Sequence, residues 1–345
     1  MSELFTASSL SRRNLLAYAL ATPGVLALSG CAAALGPGTE ASPVVGGLFA
    51  GSRSDKGFME AGWRGLEKAR EELGVQTRFI DGIAPKKELL VPALTQLAAQ
   101  GAKLVIAHGG QSNQAAMEVA TRFPDTHFVV TQGNVQAANL SSYDVLQEES
   151  AYLAGVLAAM TTKTGIVGHM SGIRVPPGLK GRAAYAAGVR DTDPKVKLLT
   201  NFSGEQDDNE LSYRVAQAQI AAGADVIFTM LNAGRDGATR ACREKKVRQI
   251  GNVIDWTKVD PEVFVASAWA DVGIGVFQAV KDMKLNGAPQ SGIIKLGLQD
   301  PAAVRLIMGA GVPDAVRLAV EQKSKAIASG QLKVPENYEG PEFSL

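Results

Sequence analysis

Three histidines and a few clustered acids are the residues of this chain whose chemistry could make or break bonds. His108-Gly109-Gly110 follows an apolar run and has the form of an esterase oxyanion loop, which needs a nucleophile elbow beside it. No Gly-x-Ser-x-Gly occurs; Gly168-His169-Met170-Ser171-Gly172 comes nearest, in the wrong order. A hydrolase using His108 is one reading, and a hydrogen-bonding histidine facing a cleft is the other. His108, His127 and His169 are too scattered for a zinc site, and His127 reads as strand packing. Glu205, Asp207 and Asp208 form an acidic cluster without a nucleophile or an oxygen-rich loop beside it. They are either a solvated loop and helix cap, or one of them meets N–H groups of a ligand.

A second set of residues suits recognition better than reaction. Gln132, Asn134, Asn232, Asn252 and Asp255 fall at the ends of predicted strands, and an amide presents a donor and an acceptor together. Asn232, with Gly234, Asp236 and Gly237, is either part of a binding loop or a tight turn. Trp256 and Trp269 are candidate aromatic walls or partly buried packing. Asp55 stands just before a predicted helix, where it either caps free N–H groups or meets ligand.

The elements that must position these residues alternate regularly. The apolar run at 44–49 reads as a strand buried on both faces, 50–57 as its loop, and 58–74 as a helix with apolar residues at Phe58, Met59, Trp63, Leu66, Ala69 and Leu73. Strands are expected at 76–80, 104–107 and 126–131, with helices at 87–100 and 112–123. A long apolar helix at 145–160 follows. From residue 165 the pattern repeats, with strands at 166–170, 196–201, 226–230 and 249–253 and helices at 179–189, 210–222 and 238–244. Strands at 263–269 and 293–298, a helix at 271–285 and a last helix at 313–329 complete it. Such alternation gives right-handed βαβ units and two α/β lobes, one of 43–145 plus about 271–290, the other of 163–270 plus about 291–345. Ligands in open α/β sheets sit at the carboxyl ends of the strands, which places Phe58 beside a crevice that closes by hinge motion.

The first thirty residues read as an export signal: Arg12-Arg13 precedes an uncharged apolar stretch at 15–28, too short to span a bilayer comfortably. Leu28-Ser29-Gly30-Cys31 resembles the lipobox of bacterial lipoproteins, with Cys31 as the lipidated residue and 31–42 as a tether. Cleavage before Cys31 removes Glu3, Arg12 and Arg13 and takes the formal charge from +1 to zero. A balanced surface has no overall attraction for nucleic acid. Cys242 is then the one remaining thiol, so no intramolecular disulfide is expected. No phosphate loop is present and no cofactor is implied.

Several stretches together resemble the basic membrane protein family. They are Asp55-Lys56-Gly57-Phe58, Trp63-Arg64-Gly65-Leu66, Phe123-Pro124-Asp125-Thr126-His127-Phe128, Glu149-Ser150-Ala151-Tyr152-Leu153-Ala154-Gly155, Thr162-Lys163-Thr164-Gly165-Ile166-Val167-Gly168 and Gly223-Ala224-Asp225-Val226-Ile227-Phe228. The resemblance implies a lipoprotein substrate-binding component of an ABC importer with the type I periplasmic-binding-protein fold. It also implies permease subunits, an ATPase reached through them, and a purine ligand, nucleobase or nucleoside. By the same resemblance Phe58 takes the place of an aromatic packed on the base, with Phe202 as its partner from the second lobe.

The departures from that family pattern favour a base over a nucleoside. After Ile250-Gly251 the family shows an aspartate expected to hold ribose hydroxyls, where this chain has Val253. A lysine three residues after Ser267 is replaced by Ala270, and strand four ends Thr131-Gln132-Gly133-Asn134 without the usual aspartate. Burying a sugar hydroxyl unpaired costs about 1 to 3 kcal/mol. The expectation is a flat heterocycle clamped between Phe58 and Phe202, its edge read by amides. A nucleoside is the alternative ligand, and a sensor without transport partners the alternative role.

Overall fold

The computed structural model describes residues 42–344. The expected export signal, Cys31 and most of the tether lie outside the described residues. Two six-stranded sheets organise the chain, each built by the alternation of strand and helix.

The first sheet takes β1 (Val44–Phe49), β2 (Gln76–Ile80), β3 (Leu104–His108), β4 (His127–Thr131), β5 (Leu140–Val145) and β11 (Ile293–Leu296), in the spatial order β11-β5-β4-β3-β1-β2, all parallel. Helices α1 (Phe58–Leu73), α2 (Lys87–Ala99), α3 (Asn113–Ala120) and α9 (Val272–Asn286) cover it. Its core holds Leu48, Leu66, Leu94, Ile106, Val129 and Val280. Helix α1 meets α9 closely: a Cβ on Gly65 would lie 2.2 Å from Gly273 O, and one on Gly273 would lie 2.2 Å from Ala61 O. Only glycines allow those two backbones to touch.

The second sheet takes β6 (Ile166–Ser171), β7 (Lys197–Phe202), β8 (Val226–Met230), β9 (Arg248–Val253), β10 (Phe264–Ala270) and β12 (Val304–Met308), in the order β12-β10-β9-β8-β6-β7, with β12 antiparallel. Helices α4 (Gln147–Thr161), α5 (Pro176–Thr192), α6 (Asn209–Ala221), α7 (Arg235–Lys245), α8 (Trp256–Val259) and α10 (Asp314–Ala328) belong to this half. Helix α4 is buried along nearly its whole length against α5, β10 and α10, as its apolar run from Ala151 to Met160 requires.

The chain passes between the sheets three times: from β5 to α4, from β10 to α9, and from β11 to β12. Three strands differ from expectation, and β12, an antiparallel edge strand, is one that the sequence pattern does not anticipate. Segment 140–145 is a strand although its sequence, Leu-Ser-Ser-Tyr-Asp-Val, lacks an apolar run, and all six residues are buried. Its polar groups are satisfied individually: Ser142 Oγ donates to Val135 O at 2.6 Å, and Tyr143 OH donates to Asp282 Oδ2 at 2.6 Å. Ile293–Leu296 pairs with β5, so the last crossing to the second lobe comes after residue 296 and not near 291.

Candidate functional site

Between the carboxyl ends of the two sheets lies a cavity of about 520 Å³, within the range of small-molecule pockets. Its floor on the first lobe begins with the loop from β1 to α1. The Asp55 carboxylate accepts hydrogen bonds from the backbone N–H groups of Gly57 (2.8 Å), Met59 (2.9 Å) and Glu60 (3.1 Å), and so closes the open end of α1. Burial raises the pKa of that carboxyl, against the three N–H groups that lower it. Phe58, the first residue of α1, is half-buried at the cavity wall, and its ring stacks on His108 with centroids 4.3 Å apart.

His108 is fully buried beneath that ring. Its Nε2 donates to Phe58 O at 2.9 Å, because a carbonyl only accepts, and its Nδ1 accepts from Thr131 Oγ1 at 2.7 Å. Burial pushes its pKa down to about 4. A neutral imidazole with both nitrogens engaged has no free group for acid-base chemistry, which removes the hydrolase reading. The role of His108 is to support Phe58. Gly62 on α1 permits this, since a Cβ there would come within 2.5 Å of the imidazole.

The second lobe supplies Asn232 after β8, Asn252 on β9, Asp207 and Gln206 after β7, and Ser171 at the end of β6. Asn232 Oδ1 faces the Phe58 N–H at 3.5 Å, and Gly57 approaches Asn232 so closely that a Cβ on it would lie 3.0 Å from that oxygen. Lys56 and Asp236 add an exposed ion pair of 3.5 Å across the same gap. Gln147, buried at the start of α4, lines the cavity from the crossing segment. The second lobe also contributes aliphatic groups to the lining, Ile173, Val175, Pro177 and Met230.

Five expected residues therefore meet at one cavity: Asp55, Phe58, Asp207, Asn232 and Asn252. The others do other things. Phe202 is not in the wall; the Arg174 and Arg182 guanidiniums pack on its ring, 4.7 and 4.8 Å from its centre, and it lies next to Gly178. The facing aromatic pair is thus absent, since β7 is the edge strand and its end turns toward α5. Gln132 bridges to β5, accepting from Val145 N at 2.7 Å and donating to Val145 O at 2.8 Å. Asn134 accepts from Asn113 Nδ2 at 2.8 Å in an exposed position. Gly109 turns the chain with φ 108°, and its neighbours Gly110 and Gln111 line the cavity instead. Gly234 precedes α7, pressed against Gln206 O. Asp255 caps α8 by accepting from Thr257 N at 3.2 Å.

Trp256 and Trp269 line a different cavity of about 590 Å³, together with Val253, α1 and α9. Its walls are largely helix sides, whereas the first cavity is walled by strand ends of both sheets, where α/β ligands bind. Non-glycine residues with left-handed backbone are Lys56, Gln132, Lys246 and Val253, with φ of 53°, 54°, 55° and 69°, and of these Lys56 and Val253 border the second cavity. Such conformations persist only where the surroundings enforce them, and they concentrate at functional sites. Sequence reasoning missed Gln147, Gln206 and the aliphatic residues of the cavity. Gln147 carried little signal, since it opens a polar first turn with Glu148, Glu149 and Ser150.

Similarity to known proteins agrees with this geometry. A solute-binding protein of an ABC transporter system from Aeropyrum pernix superposes with a TM-score of 0.76 at 22% identity, covering 86% of this chain and 94% of that one. The fold is the two-lobe fold of type I periplasmic binding proteins. An uncharacterised lipoprotein of Pyrococcus abyssi is 29% identical over 310 residues, 83% of this chain and 75% of the relative. A purine-binding protein of Brucella abortus is 25% identical over 293 residues, 84% of this chain and 81% of the relative. Residues 42–341 match the Bmp family, described as ABC transporter substrate-binding protein PnrA-like, and the chain belongs to that family of solute-binding proteins, not of enzymes.

Proposed function

We propose that the cavity captures a purine-type nucleobase, or a similar flat heterocycle, and that the two lobes close on it for delivery to an ABC permease and its ATPase. The carrying observation is the supported ring of Phe58 at a cavity lined also by aliphatic side chains and by amides. Aromatic contact of this kind adds about 0.5 to 1.5 kcal/mol beyond burial. The purine-binding relative in Brucella supports the ligand class. The preference for a base over a nucleoside rests on the sequence departure at Val253, where the family resemblance places a ribose-holding acid; the Val253 side chain itself lines the other cavity. Closure follows from ligand contacts with both lobes, which stabilise the closed population by their difference in affinity. Mass spectrometry of the small molecule that copurifies with the chain tests this: a purine base supports it, and a sugar or amino acid would overturn it.

The lipoprotein relatives and the Leu28-Ser29-Gly30-Cys31 sequence support an exported protein held to a bacterial membrane through Cys31. Fatty-acid labelling of the full chain in cells should disappear in Cys31→Ser. Equal labelling of that variant would rule the anchor out.

A further inference from the structure

Arg235, the first residue of α7, is wholly buried. Its Nη2 donates to Leu231 O and to Asn252 Oδ1, and its plane lies 4.3 Å from the centre of the Trp256 ring. A guanidinium carries donors only, so the oxygen of the Asn252 amide is committed to it, whichever way an isolated amide would turn. The rest of Asn252 is held as well: its backbone oxygen accepts from Trp256 Nε1 and from Ile254 N, both at 2.9 Å. Its amide nitrogen has no partner among the described residues, and Asn252 lines the cavity.

Asn232 repeats the arrangement one strand away. Strands β8 and β9 are neighbours, with Phe228 beside Ile250, so Asn232 and Asn252 stand at adjacent strand ends. The oxygen of Asn232 faces the Phe58 N–H, again a group that only donates. With each oxygen set against a donor, the NH₂ groups are the ends of both amides left for a ligand.

We propose that Arg235 is a positioning residue that fixes Asn252 as a hydrogen-bond donor, and that Asn252 and Asn232 together select a 6-oxopurine, such as hypoxanthine or guanine, over adenine. This rests on the purine reading of the cavity. Along one edge a 6-oxopurine offers two acceptors, O6 and N7, whereas adenine pairs an acceptor with its amino donor. An amino group set against a fixed NH₂ leaves two donors facing each other without an acceptor. One good amide contact to a base edge discriminates by roughly tenfold to a hundredfold.

Calorimetry of the intact chain with hypoxanthine, guanine and adenine tests this. The expected result is a dissociation constant for adenine at least about tenfold above that of hypoxanthine. Asn252→Asp keeps an acceptor for Arg235 and puts an oxygen where the NH₂ stood, so adenine should become the preferred base. Arg235→Leu frees the Asn252 amide to turn and should erase the discrimination while adenine affinity rises. Wild-type protein that binds adenine as tightly as hypoxanthine overturns the proposal and leaves the purine reading standing, as does an unchanged preference in Asn252→Asp. Wild-type protein that binds no purine base overturns both.

Discussion

The ring of Phe58 is stacked on the imidazole of His108, with centroids 4.3 Å apart and planes inclined by 29°. Phe202, by contrast, packs against two guanidiniums outside the cavity wall. The two phenylalanines should respond differently to removal. Phe58→Ala is expected to weaken base binding roughly tenfold. Phe202→Ala should leave affinity within about twofold and lower stability by about 1 kcal/mol through its lost cation–π contacts. Titration of both variants with one base, beside their urea midpoints, checks the contrast.

Asp55 is expected to act on stability first and on binding through it. Its carboxylate holds three backbone N–H groups at the start of the helix that carries Phe58. Asp55→Ala should cost about 1 to 2 kcal/mol in denaturant unfolding, with a smaller cost for Asp55→Asn, whose oxygen still accepts.

The buried histidines make stability depend on pH with a definite sign. His108 and His169 are pushed down by burial to about 4 and about 3, from an ordinary value of 6.5. In the unfolded chain they take up protons below about pH 6.5, while the folded chain resists, so their contribution is present above 6.5 and is lost as pH falls toward the folded values. Glu148, pushed up by burial to about 7, acts in the opposite sense between 4.5 and 7. The test is therefore a difference: the slope of unfolding free energy between pH 4.5 and 6.5 should be flatter in His169→Gln than in the wild type. Parallel slopes would show that His169 is not held neutral.

The contact between α1 and α9 should tolerate no added methyl group. Gly65→Ala places a Cβ 2.2 Å from Gly273 O and is expected to cost about 1 to 3 kcal/mol. Gly311→Ala, with nothing within 4 Å of the new Cβ, should change stability by less than about 0.5 kcal/mol. Urea midpoints of the two variants compare them directly.

Much of the fold was legible because its central strands are short apolar runs between helical patterns, as at Val226–Met230. Strand β5 was not, because its burial rests on partners distant in sequence, such as Asp282 for Tyr143 and Lys180 for Asp144. At the site, Phe58, Asn232 and Asn252 were legible from their places at strand ends. Phe202 occupied an equivalent place, yet lies outside the cavity, because whether the end of an edge strand faces ligand depends on its flanking helix, here α5 with Arg182. Gln132 and Asp255 show a related ambiguity: a polar side chain at a strand end serves ligand or backbone equally well by pattern, and here both serve backbone. Arg235 gave no sign of its importance, since a basic residue in a first helical turn reads as solvated.

The most direct test of the account is calorimetric titration of the protein with hypoxanthine and, separately, with inosine, its ribosyl counterpart. An aliphatic Val253 where a sugar-holding acid would stand predicts tighter binding of the free base, by roughly tenfold. A clear preference for inosine would contradict it.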